Sequence, residues 1–409
     1  MLALRYLRAR RREGFISVIA GFSFVGIMLG VATLIIVMAV MNGFQAQLFD
    51  KILGIQGHIA ALQQGQTGRI RDYVRYSEAL ERIPGITAVT PMTEAQVMVS
   101  SPAQALGGLV RGVTEKGIRN TPLVANNIIS GSIEGFDDQK GIAIGSRLAQ
   151  ALRLELGGFV TLISPRGTST PFGTAPRSRS FRITAIFEMG MSEYDRTMLY
   201  LPLNEAQRFF SRKGQVDAIE IKVSDPYAVE AYVTDLTGAT GGELYFQTWK
   251  ERNQTFRAVL EVERTVMFII LSLIILVAAL NIVSGMMMLV KDKSRDIAIL
   301  RTMGATRSAM MRVFLITGAS IGIVGTLAGF ALGLLFLWQI EAIRQFVQWI
   351  TGRTVFDSSV YYLSQLPVKI DVIETGVIVV MGLVLSVLAT VYPSWRASTL
   401  DPVEALRYE

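Results

Sequence analysis

No cysteine occurs in this 409-residue chain, and histidine occurs once, as His58. Disulfides are therefore excluded as a source of stability, so any folded domain must hold itself by a buried core. A lone imidazole leaves metal ligation and His-based acid–base or nucleophilic chemistry without the partners they need, and His58 reads as a structural or surface residue. No Gly-x-x-x-x-Gly-Lys-Ser/Thr loop is present for ATP phosphates, and no Gly-x-Ser-x-Gly elbow for a serine nucleophile. Enzyme chemistry and a bound cofactor are accordingly not expected. Charge is also missing from four long stretches, 15–41, 265–290, 313–340 and 375–395. At about 1.5 Å of helical rise per residue, each exceeds the ~30 Å hydrocarbon core of a bilayer. Ion-driven pumps need an ionisable residue near the middle of a span, so work must be supplied to this protein from elsewhere.

What is present is arranged unevenly: one span, then residues 42–264 of ordinary mixed polarity, then three spans. The net charge of +7 is concentrated in two places. Residues 1–14 hold five Arg and one Glu, and the loop 291–312 holds six basic and two acidic residues. With the slightly acidic tail from Pro393, these segments account for the whole excess, so no basic patch is left for nucleic acid. The positive-inside bias places the N-terminus, loop 291–312 and the tail 396–409 in the cytoplasm, with 42–264 and 341–374 outside. The first run is too long for a signal-peptide core and reads as an uncleaved anchor, preceded by an interfacial elbow at 1–14.

The inserted stretch reads as α/β. Strand-like runs include 86–90, 96–100, 108–113, 141–144, 160–164, 180–187, 198–201, 217–223 and 243–248. Helix-like runs are 72–83, 146–152, 204–211 with Asn204 as N-cap, and 226–237 with Pro226 in the first turn. Helix–strand units near both ends predict a membrane-proximal lobe (42–100 and 216–264) and a distal lobe (101–215). Residues 249–264 keep helical spacing through Phe256, Val259, Leu260 and Val262, predicting one unbroken helix over 249–290. Gly318, Gly322, Gly325, Gly329 and Gly333 in the third span, with Gly26 and Gly30 in the first, allow close helix packing, within the chain or against another.

Two segments near the cytoplasmic side stand out. In KDKSRDIAILRTMGATR, residues 292–303 form a helix-length stretch with Ile297 and Leu300 on one face, Gly304 as its stop and Thr306 as the next N-cap. With no evident core to enter, that face suits a groove on a soluble partner. The fourth span closes with YPSWRASTLDPVEALRYE, where Pro393 is expected to end the span and Asp401-Pro402-Val403-Glu404 to start a capped helix. In this one-plus-three topology, the two segments closely resemble the FtsX/MacB-type permease superfamily, the four-span subunits of mechanotransmitting ABC transporters. MNGFQAQLFDKILGIQGHI after the first span narrows the resemblance to the lipoprotein-releasing permeases of the LolC/LolE family.

The resemblance implies a noncatalytic permease of the bacterial inner membrane. It would release outer-membrane-directed lipoproteins, driven by a separate ABC ATPase subunit (LolD-like), beside a second permease copy or paralogue. Ile297, Leu300, Arg301 and Gly304 then become ATPase-coupling residues. Between the strands 160–164 and 180–186 lies PRGTSTPFGTAPRSR, too long for a tight turn and stiffened by three prolines. Alone it is either a recognition element or a plain surface loop. The resemblance implies a hook, 165–179, that captures a periplasmic carrier (LolA-like). Pro165, Pro171, Gly173, Pro176 and Arg179 fit that pattern, and Phe172 stands where an aliphatic residue would be usual. A lipoprotein's acyl chains need an apolar, laterally open site, for which Val37, Val40 and Met41 of the first span and Met267, Phe268 and Leu271 of the second are the expected walls. The competing readings are a permease of this superfamily used for export or signalling, and a membrane receptor with a ligand-sensing outer domain. The first often has a fused ATPase and the second predicts a cytoplasmic output domain; neither is seen in the sequence.

Overall fold

The computed structural model describes residues 14–63, 68–170, 173–352 and 366–400. The basic stretch 1–13, the tail 401–409, Pro171 and Phe172 lie outside the described residues. The chain divides into two compact units, one of residues 14–47, 258–352 and 366–400, the other of 48–257.

The first unit is helical. It is built by α1 (Gly14–Ile55), α2 (Gln254–Asp292), α3 (Ser294–Thr302), α4 (Arg307–Trp338), α5 (Ile340–Thr351) and α6 (Val372–Thr399). The last turns of α1 and the first turn of α2 belong to the other unit. Four of these helices, α1, α2, α4 and α6, are long and apolar enough to cross a membrane. On α2, Leu273, Leu276, Val277 and Leu280 are exposed, as expected of a bundle whose solvent is hydrocarbon. Its interior is an apolar cluster running from Ile27 and Val31 through Ile275 and Ile282 to Met310 and Ile378. The glycines of α4 face two neighbours. A Cβ on Gly322 would lie 2.3 Å from the Ser386 side chain of α6, and one on Gly329 would lie 2.6 Å from the Met28 carbonyl of α1. Only hydrogen fits at such approaches, so these small residues pack the helices of one chain together.

Three helix boundaries differ from expectation. α1 runs on to Ile55. The stretch 249–290 is not continuous. Thr248 and Glu251 form a capping box around the one-turn helix Trp249–Arg252, Asn253 leaves the helical path (φ −106°, ψ 21°), and α2 begins afresh. Here cap chemistry overrides the apolar periodicity. Pro393, expected to end the fourth span, lies inside α6. Proline removes one backbone bond there, and the hydroxyl of Ser394 donates to the Thr390 carbonyl at 2.7 Å, one way such helices tolerate it.

The second unit is a ten-stranded sheet flanked by short helices. Its strands are β1 (Ile59–Gln63), β2 (Ile86–Ser100), β3 (Ala105–Val113), β4 (Ile128–Gly131), β5 (Gly141–Gly145), β6 (Phe159–Thr170), β7 (Gly173–Phe187), β8 (Met198–Pro202), β9 (Ala218–Val223) and β10 (Leu244–Thr248). The order is β10-β1-β9-β2-β3-β8-β5-β7-β4, with β6 beside β2 and β7. The two strands expected at 86–90 and 96–100 are one. β2 pairs with β9 up to Met92 and with β3 from Thr93 onward, so one partner gives way to the next just past Pro91. The sheet is therefore continuous through β2, with one core cluster around Ile59, Ile221 and Phe246 and another around Val99, Leu162 and Phe181. The helix expected at 204–211 spans Leu203–Phe209, and Asn204 is not its cap: Pro202 occupies that position without a side-chain bond.

The C-terminal end of α1 is held by cations within this unit. Arg111 donates to the Ile55 carbonyl at 3.2 Å, Lys222 to the Gly54 carbonyl at 3.2 Å, and Arg252 to the Gly57 carbonyl. Positive charge there complements both the orphan carbonyls and the helix dipole. Glu94 and Glu220 balance it, Glu94 at 2.7 Å and Glu220 at 3.6 Å from Arg111. His58 lies beside this network, its Nδ1 accepting from the Val223 amide at 3.0 Å. Burial first, then the Lys222 ammonium, lowers its pKa from 6.5 to about 4. The folded protein thus refuses a proton that the unfolded chain accepts, and stability falls as pH drops from about 6.5 toward 4. Thermal melts of the detergent-solubilised protein should shift downward between pH 7 and pH 5.5, and His58→Gln should flatten that dependence. An unchanged pH slope in the variant would remove His58 as its source.

Candidate functional site

The residues expected to act fall in three places. At one end of the helical unit, Lys293 (φ −94°, ψ 9°) is the single non-helical residue between α2 and α3. It turns the chain so that α3 folds against the bundle. α3 then stops in a Schellman turn. Gly304 adopts φ +101°, a conformation side chains resist, its N–H bonds Arg301 O at 3.1 Å, and that of Ala305 bonds Leu300 O at 3.0 Å. Thr306 caps α4 by accepting from the Ala309 amide at 3.2 Å.

The expectation that Ile297 lacks a core is overturned. Ile297 is 1% exposed and joins the apolar cluster with Val290, Met310, Phe314 and Ala397, against which Leu300 also packs. Arg301 is half-buried and donates to the Leu400 carbonyl, tying α3 to the end of α6. The outward face instead carries Ile299 and Met303, 43% and 79% exposed, with Arg295, Asp296 and Thr302 around them. Leu300 and Leu289 also wall an apolar cleft of about 110 Å³ whose far side is Met310, Val313 and Phe314. The outward face of α3 thus has two exposed apolar residues spaced i and i+4 beside charges.

In the sheet unit, the segment expected as a loop at 165–179 is largely a two-stranded ladder. β6 and β7 pair from Phe159↔Arg182 through Ser164↔Arg177, and again from Thr168↔Ala175 to Thr170↔Gly173. Pro165 and Pro176, both exposed, fall in the register shift between these stretches. Neither can donate to a ladder, so they are placed where the pairing is already broken. Gly173 opens β7 at the far end. Arg179 is paired within the chain: it lies 2.7 Å from the Glu205 carboxylate, with its guanidinium 4.8 Å over the Phe181 ring. Arg177 donates to the Phe209 carbonyl at 2.7 Å. These two arginines fasten the hairpin base to helix Leu203–Phe209.

At the opposite end of α2, about 42 Å along its axis by helical rise, lie the residues expected to meet acyl chains. Leu271 is buried in the helical cluster, and Val37, Val40 and Phe268 are partly buried against it; Met41 and Met267 are half-buried. The structure brings the first four into one apolar mass rather than leaving them along an open wall. A polar latch closes this end. Glu374 of α6 accepts from Asn42 Nδ2 at 2.5 Å and pairs with Arg264 of α2. The Lys369 amide donates to the Ala39 carbonyl at 3.0 Å, and a Cβ on Gly43 would lie 2.3 Å from the Pro367 carbonyl. Sequence reasoning missed this latch because its members are up to 332 positions apart. It also missed α5, although the apolar spacing at 340, 343, 346, 347 and 350 was there to be read.

Comparison with known proteins adds the following. Residues 20–239 match the MacB-like periplasmic core domain, and residues 268–402 match the FtsX-like permease C-terminal family. The chain is 34% identical over 409 residues to the lipoprotein-releasing system transmembrane protein LolC of Xylella fastidiosa, spanning 100% of this chain and 98% of that protein. It is 35% identical over 412 residues to LolC of Neisseria meningitidis serogroup B, with the same coverage. With LolE of Haemophilus influenzae it shares 28% identity over 408 residues, 99% of this chain and 98% of that one.

Proposed function

Since the chain belongs to the LolC/LolE family of lipoprotein-releasing system transmembrane proteins, we propose that it is the noncatalytic permease subunit of an ABC transporter that releases outer-membrane-directed lipoproteins from the inner membrane. The observation that carries this reading is the end-to-end similarity to LolC, over both the helical unit and the inserted domain. The energetics say why such a protein needs partners on both sides. An acyl chain of about fifteen methylenes is held in a bilayer by roughly 12 kcal/mol, at ~0.8 kcal/mol per methylene. Extraction therefore needs a driving ATPase, and the product needs an apolar host other than water.

The ATPase, a LolD-like subunit, docks on the outward face of α3 through Ile299 and Met303. Leu300 and Gly304 set the position of that face, Ile297 anchors it from inside, and Arg301 ties it to α6. The inserted domain faces the periplasm, and its β6–β7 hairpin captures a LolA-like carrier. Pro165, Pro171, Phe172, Gly173 and Pro176 belong to the contacting arm, and Arg179 positions its base. Acyl chains enter where α1 and α2 part near Val37, Val40, Met41, Met267, Phe268 and Leu271. That opening requires the Asn42–Glu374–Arg264 latch to release. A second permease copy or paralogue supplies the other half of the assembly.

The test is reconstitution of the purified complex in proteoliposomes with an acylated lipoprotein. On addition of ATP and carrier, lipoprotein should move into the soluble, carrier-bound fraction. Lipoprotein that stays with the vesicles although the complex hydrolyses ATP and binds carrier would overturn the reading.

A further inference from the structure

Among the described helices, α5 is the most segregated. On a helical wheel, Ile340, Ile343, Phe346, Val347, Trp349 and Ile350 fill one arc, and Glu341, Arg344, Gln345, Gln348 and Thr351 the other. In a water-soluble fold the apolar arc would turn inward. Here no residue of the helix is buried, and Phe346, Trp349 and Ile350 are 59%, 80% and 62% exposed. Arg344, by contrast, keeps only 15% of its side chain exposed and is paired with Glu341. Apart from Ile340 at its start, which packs against the cluster of the helical unit, the greasy side points away from the chain.

Position says what covers it. α5 begins immediately after Gln339, the single residue separating it from α4, one of the four helices able to cross a membrane. The last residue of α4, Trp338, is itself 78% exposed. Indole rings favour the headgroup boundary, and Trp338 marks that level at this end of the span. A twelve-residue helix starting there is too short to span and is amphipathic enough to lie flat. Phe346 and Trp349 stack with centroids 6.3 Å apart, presenting one aromatic plate on the outward side.

We propose that α5 is an interfacial helix, lying in the boundary between headgroups and acyl chains of the leaflet in which α4 ends, and that its partner is the phospholipid surface itself. Phe346, Trp349 and Ile350 enter the acyl region while Gln345 and Gln348 stay at the aqueous edge. This assignment is independent of the transport reading.

The absence of cysteine makes the test direct, because a nitroxide attached to one introduced cysteine labels one site. Phe346→Cys, Ile350→Cys, Gln345→Cys and Gln348→Cys are each labelled in the full-length protein and reconstituted in phosphatidylethanolamine–phosphatidylglycerol vesicles. The ratio of oxygen to nickel-chelate collisions should be at least about fivefold higher at 346 and 350 than at 345 and 348, as for a helix half-immersed in the interface. In the unlabelled protein, phospholipids brominated near the carbonyl should quench tryptophan fluorescence, and Trp349→Phe should remove part of that quenching. The second measurement does not depend on the labelled variants folding. Equal nickel access at all four positions would overturn the proposal. So would labels at 346 and 350 shielded from both reagents, the outcome expected if a second protein covers this face.

Discussion

Replacing Ile299 and Met303 together by aspartate is expected to detach the ATPase from an otherwise intact permease. Both side chains stand out from α3 one turn apart, and truncation of a central apolar contact typically costs about 2 kcal/mol in an interface. Two such losses, with carboxylates introduced in place of apolar side chains, should weaken ATPase binding by at least about 100-fold. Insertion and monodispersity in detergent should be unchanged, since both side chains are exposed and neither belongs to the apolar cluster of the bundle. Ile297→Asp should behave differently. At 1% exposure its carboxylate would be buried without a partner, at a cost of several kcal/mol, and the helical unit should fail to fold. Pull-down of the ATPase by each variant separates the cases. A complex that survives Ile299→Asp with Met303→Asp would show that α3 is not the docking helix.

Excision of the hairpin arm is expected to abolish carrier capture while sparing everything else. Ser164 and Arg177 are directly paired, so residues 165–176 can be replaced by Asn-Gly, the two-residue connection that suits the twist of antiparallel strands. The six cross-strand pairs from Phe159↔Arg182 to Ser164↔Arg177 remain, and Arg177 and Arg179 keep their bonds to Phe209 and Glu205. Stability of the sheet should therefore hold, with the melting temperature moving by no more than a few degrees. Carrier affinity should drop by at least about 100-fold if the removed arm supplies the proposed contact, whose prolines lower the entropy lost on binding. ATPase assembly and hydrolysis should persist. Undiminished carrier binding by the excised protein would remove the hook from the mechanism.

Much of this molecule was legible before any coordinate. The four membrane-length helices follow from charge-free runs, which need no tertiary information because hydrocarbon solvates each span separately. Gly304 and Thr306 mark the end of α3 and the start of α4 through local backbone geometry alone. The strands at 160–164 and 180–187 pair as their alternation implies, and the inserted region is α/β. Some misses were failures to read signals that were there. Thr248 and Glu251 spell a capping box that interrupts 249–290, and α5 shows its spacing plainly at the start of the segment expected outside after the third span.

Other features belong to the tertiary structure because their members meet only after folding. A helix with Ile297 and Ile299 two positions apart offers both to a sequence reader. Only the turn at Lys293 decides that Ile297 goes into the bundle and Ile299 faces out. The Asn42–Glu374–Arg264 latch and the cations gathered on the Gly54, Ile55 and Gly57 carbonyls join residues far apart in the chain. No periodicity or motif encodes such a meeting. The sequence by itself determined which segments are long and apolar enough to lie in lipid and that the inserted region is α/β, since these depend on local composition and spacing. Which face of each helix is spent on packing and which is left for a partner was decided by the fold, because burial is a property of neighbours in space.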